Sequence, residues 1–225
     1  GCNFVAKNVG YNNGAFPCYD LYIDGVNNGR IELSVPGEHN VLNSLAAIAA
    51  AIYCGATVEQ CRKSILTFKG AGRRFEFLGT YNGADIADDY AHHPKELEVT
   101  LKAAMDMGYK NVWAVFQPFT FSRTAMLLND FADALSIADN VVLTEIMGSR
   151  EKNTYHIYAK DLGEKIEGCF FIDNLRENET EKEYHDRNFD EITEYLKENA
   201  REGDLIITLG CGDVYKIAKK LKDLI

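Results

Sequence analysis

Asp88-Asp89-Tyr90-Ala91-His92-His93-Pro94 sets paired carboxylates and paired imidazoles within one short stretch, directly after the apolar step Ile86-Ala87. Such carboxylates take ribose hydroxyls or stand behind a metal ion, and such imidazoles donate to phosphate or hold a proton near neutral pH. Pro94 stands where a helix begins, so the cluster crowds the mouth of a strand-to-helix turn. That is where α/β folds bind ligands. The same residues also suit a solvated turn, with His93 capping the following helix through its ring.

Five further stretches carry chemistry-bearing side chains. Arg73 and Arg74 follow the flexible Gly70-Ala71-Gly72, where paired guanidiniums can clamp phosphate oxygens or form an ion-paired strand start. Ser122 and Arg123 end the run Phe116-Gln117-Pro118-Phe119-Thr120-Phe121 at the start of a helix, suited to an anion or to plain capping. Gly148-Ser149-Arg150-Glu151-Lys152 is a charged loop after a strand, and Leu209-Gly210-Cys211-Gly212-Asp213 is a glycine-rich turn without the full dinucleotide spacing. His39, Asn40 and Asn43 crowd the first turn of an earlier helix, where Asn40 and Asn43 are neighbours and Asn40 also suits a cap. No G-x-x-x-x-G-K-[ST] loop for ATP phosphates occurs anywhere in the chain.

The elements that must position these residues change character along the chain. From Cys2 to Val35 short strands (3–9, 15–23, 29–35) alternate with polar turns at 11–14 and 24–29, which indicates antiparallel hairpins. Such a meander needs its apolar face covered, so the chain is expected to begin inside a larger domain. A helix follows with Val41, Leu42, Leu45, Ile48, Ala49 and Ile52 on one face, then a second from Thr57 to Phe68. Gly70-Ala71-Gly72 marks the domain boundary, dividing 1–72 from 73–225.

Beyond it, strands at 75–81, 84–87, 111–116, 140–144, 169–172 and 205–209 alternate with helices at 94–107, 123–138, 155–166, 189–199 and 214–224. Continuous apolar strands between helices imply a Rossmann-like parallel sheet covered on both faces, with right-handed crossovers. The acidic stretch 177–190 reads as a charged loop before a helix.

Composition removes other classes. Lys and Arg number 24 against 34 Asp and Glu, a net charge of -10, which argues against a nucleic-acid or anionic-membrane surface. Six dispersed Cys show no metal-ligand spacing and read as reduced, mostly buried thiols. No apolar run reaches the roughly 18 residues of a membrane helix, so the expected location is the cytoplasm. With 225 residues, 46% of them hydrophobic, one large domain or two small ones can bury a core.

Taken in order, Gly37-Glu38-His39-Asn40-Val41-Leu42-Asn43, Gly72-Arg73-Arg74-Phe75-Glu76, the Asp88–Pro94 stretch, Phe116-Gln117-Pro118 to Phe121-Ser122-Arg123-Thr124, Gly148–Lys152 and Leu209–Asp213 resemble the cytoplasmic Mur ligases. The likeness is greatest to the branch that adds L-alanine to UDP-N-acetylmuramate, and Phe121-Ser122-Arg123-Thr124 favours it over the branch that recycles a tripeptide. A nucleotide-binding module without catalysis is the alternative from another class.

The resemblance implies an α/β fold: the end of the family's central ATPase domain, then its Rossmann-like C-terminal domain. It implies an ATP- and Mg2+-dependent ligase of peptidoglycan synthesis, and so of cell-wall growth and division, that works through an acyl phosphate. The UDP-binding domain, phosphate loop, carbamylated lysine and most Mg2+ ligands would lie before Gly1, leaving this stretch inactive alone. By resemblance His39, Asn40 and Asn43 lie on the adenine side, Arg74 near ATP, and Asp89 on the ribose. His92 and His93 face the phosphates and Arg123 the incoming amino acid. Such cations would stabilise negative charge during phosphate transfer and amine attack. Phe119 departs from the family, which usually has His after Gln-Pro.

Overall fold

The computed structural model describes residues 3–172 and 180–222. They fall into two compact units, Gly1–Gly72 with Lys102–Gly108, and Arg73–Leu101 with Tyr109–Ile225.

The first unit is an antiparallel meander of β1 (Phe4–Asn12), β2 (Phe16–Ile23) and β3 (Val26–Glu32), followed by α1 (His39–Tyr53) and α2 (Val58–Thr67). Ile23 pairs with Val26 across Asp24 and Gly25, both at positive φ (48° and 83°). A two-residue turn of this kind already matches the strand twist, so β3 starts three residues before the expected Gly29. Tyr19, Leu21, Ile31 and Leu33 from the sheet region bury against Val41, Ile48 and Cys61 from the helices. The Tyr19 hydroxyl keeps a partner there, the Ser44 Oγ at 2.8 Å. Leu42, expected on the apolar face of α1, is 72% exposed, because one residue beyond Val41 lies about 100° round the helix.

The second unit is built on a six-stranded sheet. Its strands are β4 (Glu76–Tyr81), β5 (Ala84–Asp89), β6 (Val112–Phe116), β7 (Asn140–Leu143), β8 (Phe170–Phe171) and β9 (Leu205–Leu209), in the spatial order β4-β5-β9-β6-β7-β8. All neighbours run parallel except β4, which pairs antiparallel to β5. That departure from an all-parallel expectation comes from Asn82-Gly83, whose positive φ angles (47° and 79°) close a tight hairpin. β6 and β9 are buried at every position, which explains their continuous apolar sequences.

Helices α7 (Glu181–Asn199) and α8 (Tyr215–Lys222) pack Phe189, Ile192, Leu196, Ile217 and Leu221 on one face of this sheet, against Ile86, Val115 and Ile206. On the other face Phe116 meets Phe131 of α5 (Leu128–Leu135), with ring centroids 5.4 Å apart. The helix expected over 123–138 is two, α4 (Phe121–Met126) and α5, separated where Leu127 leaves helical geometry. The remaining helices are α3 (Pro94–Met105) and a short α6 (Ala159–Gly163).

The acidic stretch is helical from Glu181 rather than a loop; residues 177–179 lie outside the described residues. Thr180 and Glu183 form a capping box, and Arg187 pairs with Glu191 one turn on at 3.0 Å. Local capping and i,i+4 pairing outweigh charge density here.

The chain visits β5, β6, β7 and β8 in turn and then returns to place β9 between β5 and β6. The strand order therefore reverses beside β9, and the loops after β5, β9 and β6 diverge at their carboxyl ends.

Candidate functional site

β5 ends in Asp88 and Asp89, only 2% and 5% exposed, and neighbouring strand residues face opposite sides of the sheet. The two carboxylates accordingly do different things. Asp88 accepts from Arg73 Nε at 2.8 Å and from Thr208 Oγ1 at 2.6 Å. Asp89 accepts from the Phe75 and Ala91 N–H groups, each at 2.8 Å, and from Thr100 Oγ1 at 3.4 Å. Burial pushes the Asp89 carboxyl up, and the two N–H groups oppose it without cancelling it.

The paired arginines divide in the same way. Arg73 donates from Nη2 to the Gly210 carbonyl at 2.7 Å as well as to Asp88, and its guanidinium lies 5.0 Å from the Tyr90 ring and 4.8 Å from Tyr215. Arg74 is exposed, has no hydrogen bond or ion pair among the described residues, and lies 5.8 Å from the Tyr90 ring.

The adjacent histidines present opposite ring atoms. His92 Nδ1 is 3.0 Å from the Tyr90 carbonyl and 3.4 Å from Glu96 Oε2, both acceptors, so in the neutral ring Nδ1 carries the hydrogen and Nε2 the lone pair. His93 Nδ1 instead accepts from the Lys95 N–H at 3.3 Å, which leaves Nε2 as the donor. His93 is thus a helix cap through its ring, and the cap does not consume the outer nitrogen. Glu96 accepts from the His92 N–H at 3.0 Å; burial alone would raise its carboxyl, but this bond and the His92 ring hold it below the usual value.

Arg123 reaches this turn from α4, its Nη1 3.5 Å from the His92 carbonyl. The start of α4 is tied down by Glu151, which accepts from Ser122 N at 2.9 Å and Ser122 Oγ at 2.6 Å and stays below the usual carboxylate value because of them. The charged loop is therefore attached to α4 rather than simply solvated. Phe119 forms an isolated parallel bridge with Met147, joining the loops after β6 and β7. Gln117, 1% exposed, accepts at Oε1 from the N–H groups of Asp213 (2.8 Å) and Val214 (3.2 Å) and so holds the glycine-rich turn in place. Gly210 and Gly212 both sit against Gln117, and a Cβ on Gly212 would also lie 2.7 Å from Met147 Sδ.

The second unit thus brings Arg73, Arg74, Asp88, Asp89, His92, His93 and Arg123 to one edge of its sheet. His39, Asn40 and Asn43 lie apart in sequence on the first turn of α1 in the first unit. There Asn40 Nδ2 donates to the Pro36 carbonyl at 2.7 Å and Asn43 Nδ2 to Asn40 Oδ1 at 3.0 Å. Asn40 is inside the helix and Glu38 is the N-cap, so Asn40 is not the cap. Gly37, at φ 99°, leaves room for the His39 ring, which would stand 2.7 Å from a Cβ there.

Gln117, Glu96 and Glu151 hold the site, although the sequence assigned none of them a role: Gln117 and Glu151 stood only as members of longer stretches. Glu96 had a visible signal as an acidic residue in the first turn of α3. For Gln117 and Glu151 the sequence could not show the role, because their partners lie 96 and 29 residues away. Among the described residues no group of three or more His, Cys, Asp or Glu converges as a metal site. None of their helices is long and apolar enough to cross a membrane.

A Rossmann-like α/β unit with cationic groups at the carboxyl edge of its sheet belongs to the class of anion- or nucleotide-handling domains. Comparison with known proteins narrows the class. Residues 73–212 match the family described as Mur ligase, glutamate ligase domain. UDP-N-acetylmuramate--L-alanine ligase from Lachnospira eligens is 44% identical over 222 residues, 97% of this chain and 45% of that protein. Among solved structures, UDP-N-acetylmuramate-alanine ligase from Thermotoga maritima aligns over 99% of this chain and 45% of its own, with a TM-score of 0.75 at 22% identity. A MurF ligase from the same organism, solved with ADP, aligns over 100% of this chain and 48% of its own (TM-score 0.68, 16% identity). The chain belongs to the Mur ligase family and spans about half the length of these relatives.

Proposed function

We propose that this chain is part of the ATP-dependent ligase that joins L-alanine to UDP-N-acetylmuramate during peptidoglycan precursor synthesis in the cytoplasm. The observation that carries the reading is the 44% identity to the L. eligens ligase over 222 residues, 97% of this chain. In this reading 1–72 is the end of the central ATPase domain and 73–225 the C-terminal domain.

ATP supplies the phosphoryl group that activates the sugar carboxylate, and this chain's residues handle charge around it. Arg74, exposed and without an ion-pair partner among the described residues, is suited to phosphate oxygens. Asp89 retains acceptor capacity at Oδ2, which takes a single N–H, and is assigned a ribose hydroxyl. His39, Asn40 and Asn43 are assigned to the adenine side. His93 Nε2–H is assigned to the transferring phosphate, and His92, which faces the same phosphate with the lone pair of its neutral ring on Nε2, is assigned to accept a proton from the attacking amine. Arg123 is assigned to the amino-acid carboxylate. Magnesium, which accompanies ATP in this reading, is given no ligand among the described residues.

The test is ATP-dependent phosphate release by the complete protein with UDP-N-acetylmuramate, offered L-alanine or, separately, the L-alanyl-γ-D-glutamyl tripeptide. Release with L-alanine is expected. Release with the tripeptide alone would move the protein to recycling, and release with neither would overturn the ligase assignment.

A further inference from the structure

Arg73 is engaged on every side, whereas its neighbour Arg74 is not. Its Nε and Nη2 go to Asp88 and the Gly210 carbonyl at 2.8 and 2.7 Å, joining the ends of β5 and β9. Its backbone N–H donates to Glu76 Oε2 at 2.7 Å and its carbonyl accepts from the Tyr90 N–H at 2.8 Å. Its guanidinium lies near the rings of Tyr90 and Tyr215.

These bonds hold a backbone that local preference opposes. Arg73 and Phe75 both have positive φ (58° and 45°), a conformation unfavourable for a bulky L-residue. Phe75 is pinned in turn by its N–H bond to Asp89. Arg74 therefore stands between fixed neighbours while its own guanidinium remains without an ion pair among the described residues. A flexible cation mounted on a fixed backbone loses less conformational freedom on meeting an anion.

We propose that Arg73, through Asp88, Gly210 and Tyr90, is the positioning residue that presents Arg74 to the phosphate groups of ATP. This rests on the ligase reading above. Arg73 itself touches no ligand in this role; its planar fork and its two ring contacts are what matter, and lysine reproduces neither.

The complete protein is tested as Arg73→Lys, Arg74→Ala and the double variant. Arg73→Lys is expected to raise the KM for ATP about tenfold with kcat within about twofold, since only binding geometry is disturbed. Adding Arg73→Lys to Arg74→Ala should then change KM by less than about twofold, because Arg73 acts only through Arg74. Hydrogen exchange should show lost protection at the Tyr90 and Phe75 amides and retained protection in β6. An unchanged KM, or single effects that multiply, would overturn the proposal.

If the wild-type protein turns over no ATP, the ligase reading fails by itself. The exchange data still judge the clasp: unchanged protection at Tyr90 and Phe75 refutes it, and selective loss there supports it. Should Arg73→Lys not fold, Asp88→Asn carries the same comparison, leaving the Arg73 bond to Gly210 in place and giving a smaller KM rise in the same direction; no rise and no lost protection would again refute it.

Discussion

The two edges of the six-stranded sheet are both rich in carboxylates, yet they use them differently. At the amino edge Asp204, 1% exposed, accepts from Asn111 Nδ2 at 2.8 Å, Trp113 Nε1 at 3.0 Å and the Arg201 N–H at 3.0 Å. Asp139 accepts from the Val112 N–H and Asp85 from the Tyr109 hydroxyl, at 2.8 and 2.7 Å. Burial alone would raise the Asp204 carboxyl, but the donors from Asn111, Arg201 and Trp113 outweigh it and hold it low. Burial wins at Asp89 on the carboxyl edge, whose carboxyl is held high.

Backbone strain separates the edges as well. Among non-glycine residues, Arg73, Phe75, Thr120, Ser149 and His156 all lie at or beyond the carboxyl edge with positive φ, whereas on the amino edge only Asn82 does so among the described residues. Asn adopts that conformation at little cost, while the others must be held there by their surroundings. One edge is closed on itself. The other spends packing and hydrogen bonds on holding side chains outward, as at Arg74.

This contrast is most exposed to refutation at Asp204. Asp204→Ala orphans the buried Asn111 and Trp113 donors and the Arg201 N–H, and should cost about 4 kcal/mol in denaturant unfolding. Ligand affinities should stay unchanged. Because the folded carboxyl lies below its unfolded value, its contribution is complete above about pH 4 and is lost as pH falls through the folded pKa. The variant should therefore show a shallower acid limb than the wild type, and parallel limbs would contradict the assignment.

Arg74→Ala sits at the opposite pole. Stability should stay within about 0.5 kcal/mol, while the KM for ATP in the complete protein rises about 10- to 100-fold, as expected for a lost charge-assisted contact. A stability loss without a KM change would erase the distinction between the edges.

Gly148→Ala comes next, since a Cβ there would run into the Phe121 ring and stand 3.2 Å from the Glu151 carbonyl. Overpacking of this kind should cost about 1–2 kcal/mol and disturb the seat of Arg123, read as weaker L-alanine use. The smallest effect belongs to neither edge. Thr57→Ala removes the capping box of α2 in the first unit and should lower stability by about 1 kcal/mol, with ligand use unaffected.

Much of this was legible in the residues. The strands of the second unit, the turn before Pro94 and the cluster of cationic groups follow from apolar periodicity and from residue types. Where sequence reading missed, a specific local device was responsible. Asn82-Gly83 turned β4 antiparallel, Thr180 with Glu183 began a helix inside an acidic stretch, and Leu127 divided another helix. Capping and turn chemistry act over a few residues and were outvoted by composition and periodicity read over longer windows.

Residue types alone picked out paired arginines beside a hinge and paired aspartates at a strand end. They left open which member of each pair would be bonded into the frame, because Arg73 and Arg74, or Asp88 and Asp89, are chemically alike and adjacent. Tertiary structure decided it: Thr208, 120 residues from Asp88, and Gly210, 137 residues from Arg73, supply partners to one member of each pair. Consecutive residues on a strand point to opposite sides, so only the position of distant strands determines which of two like neighbours becomes part of the frame.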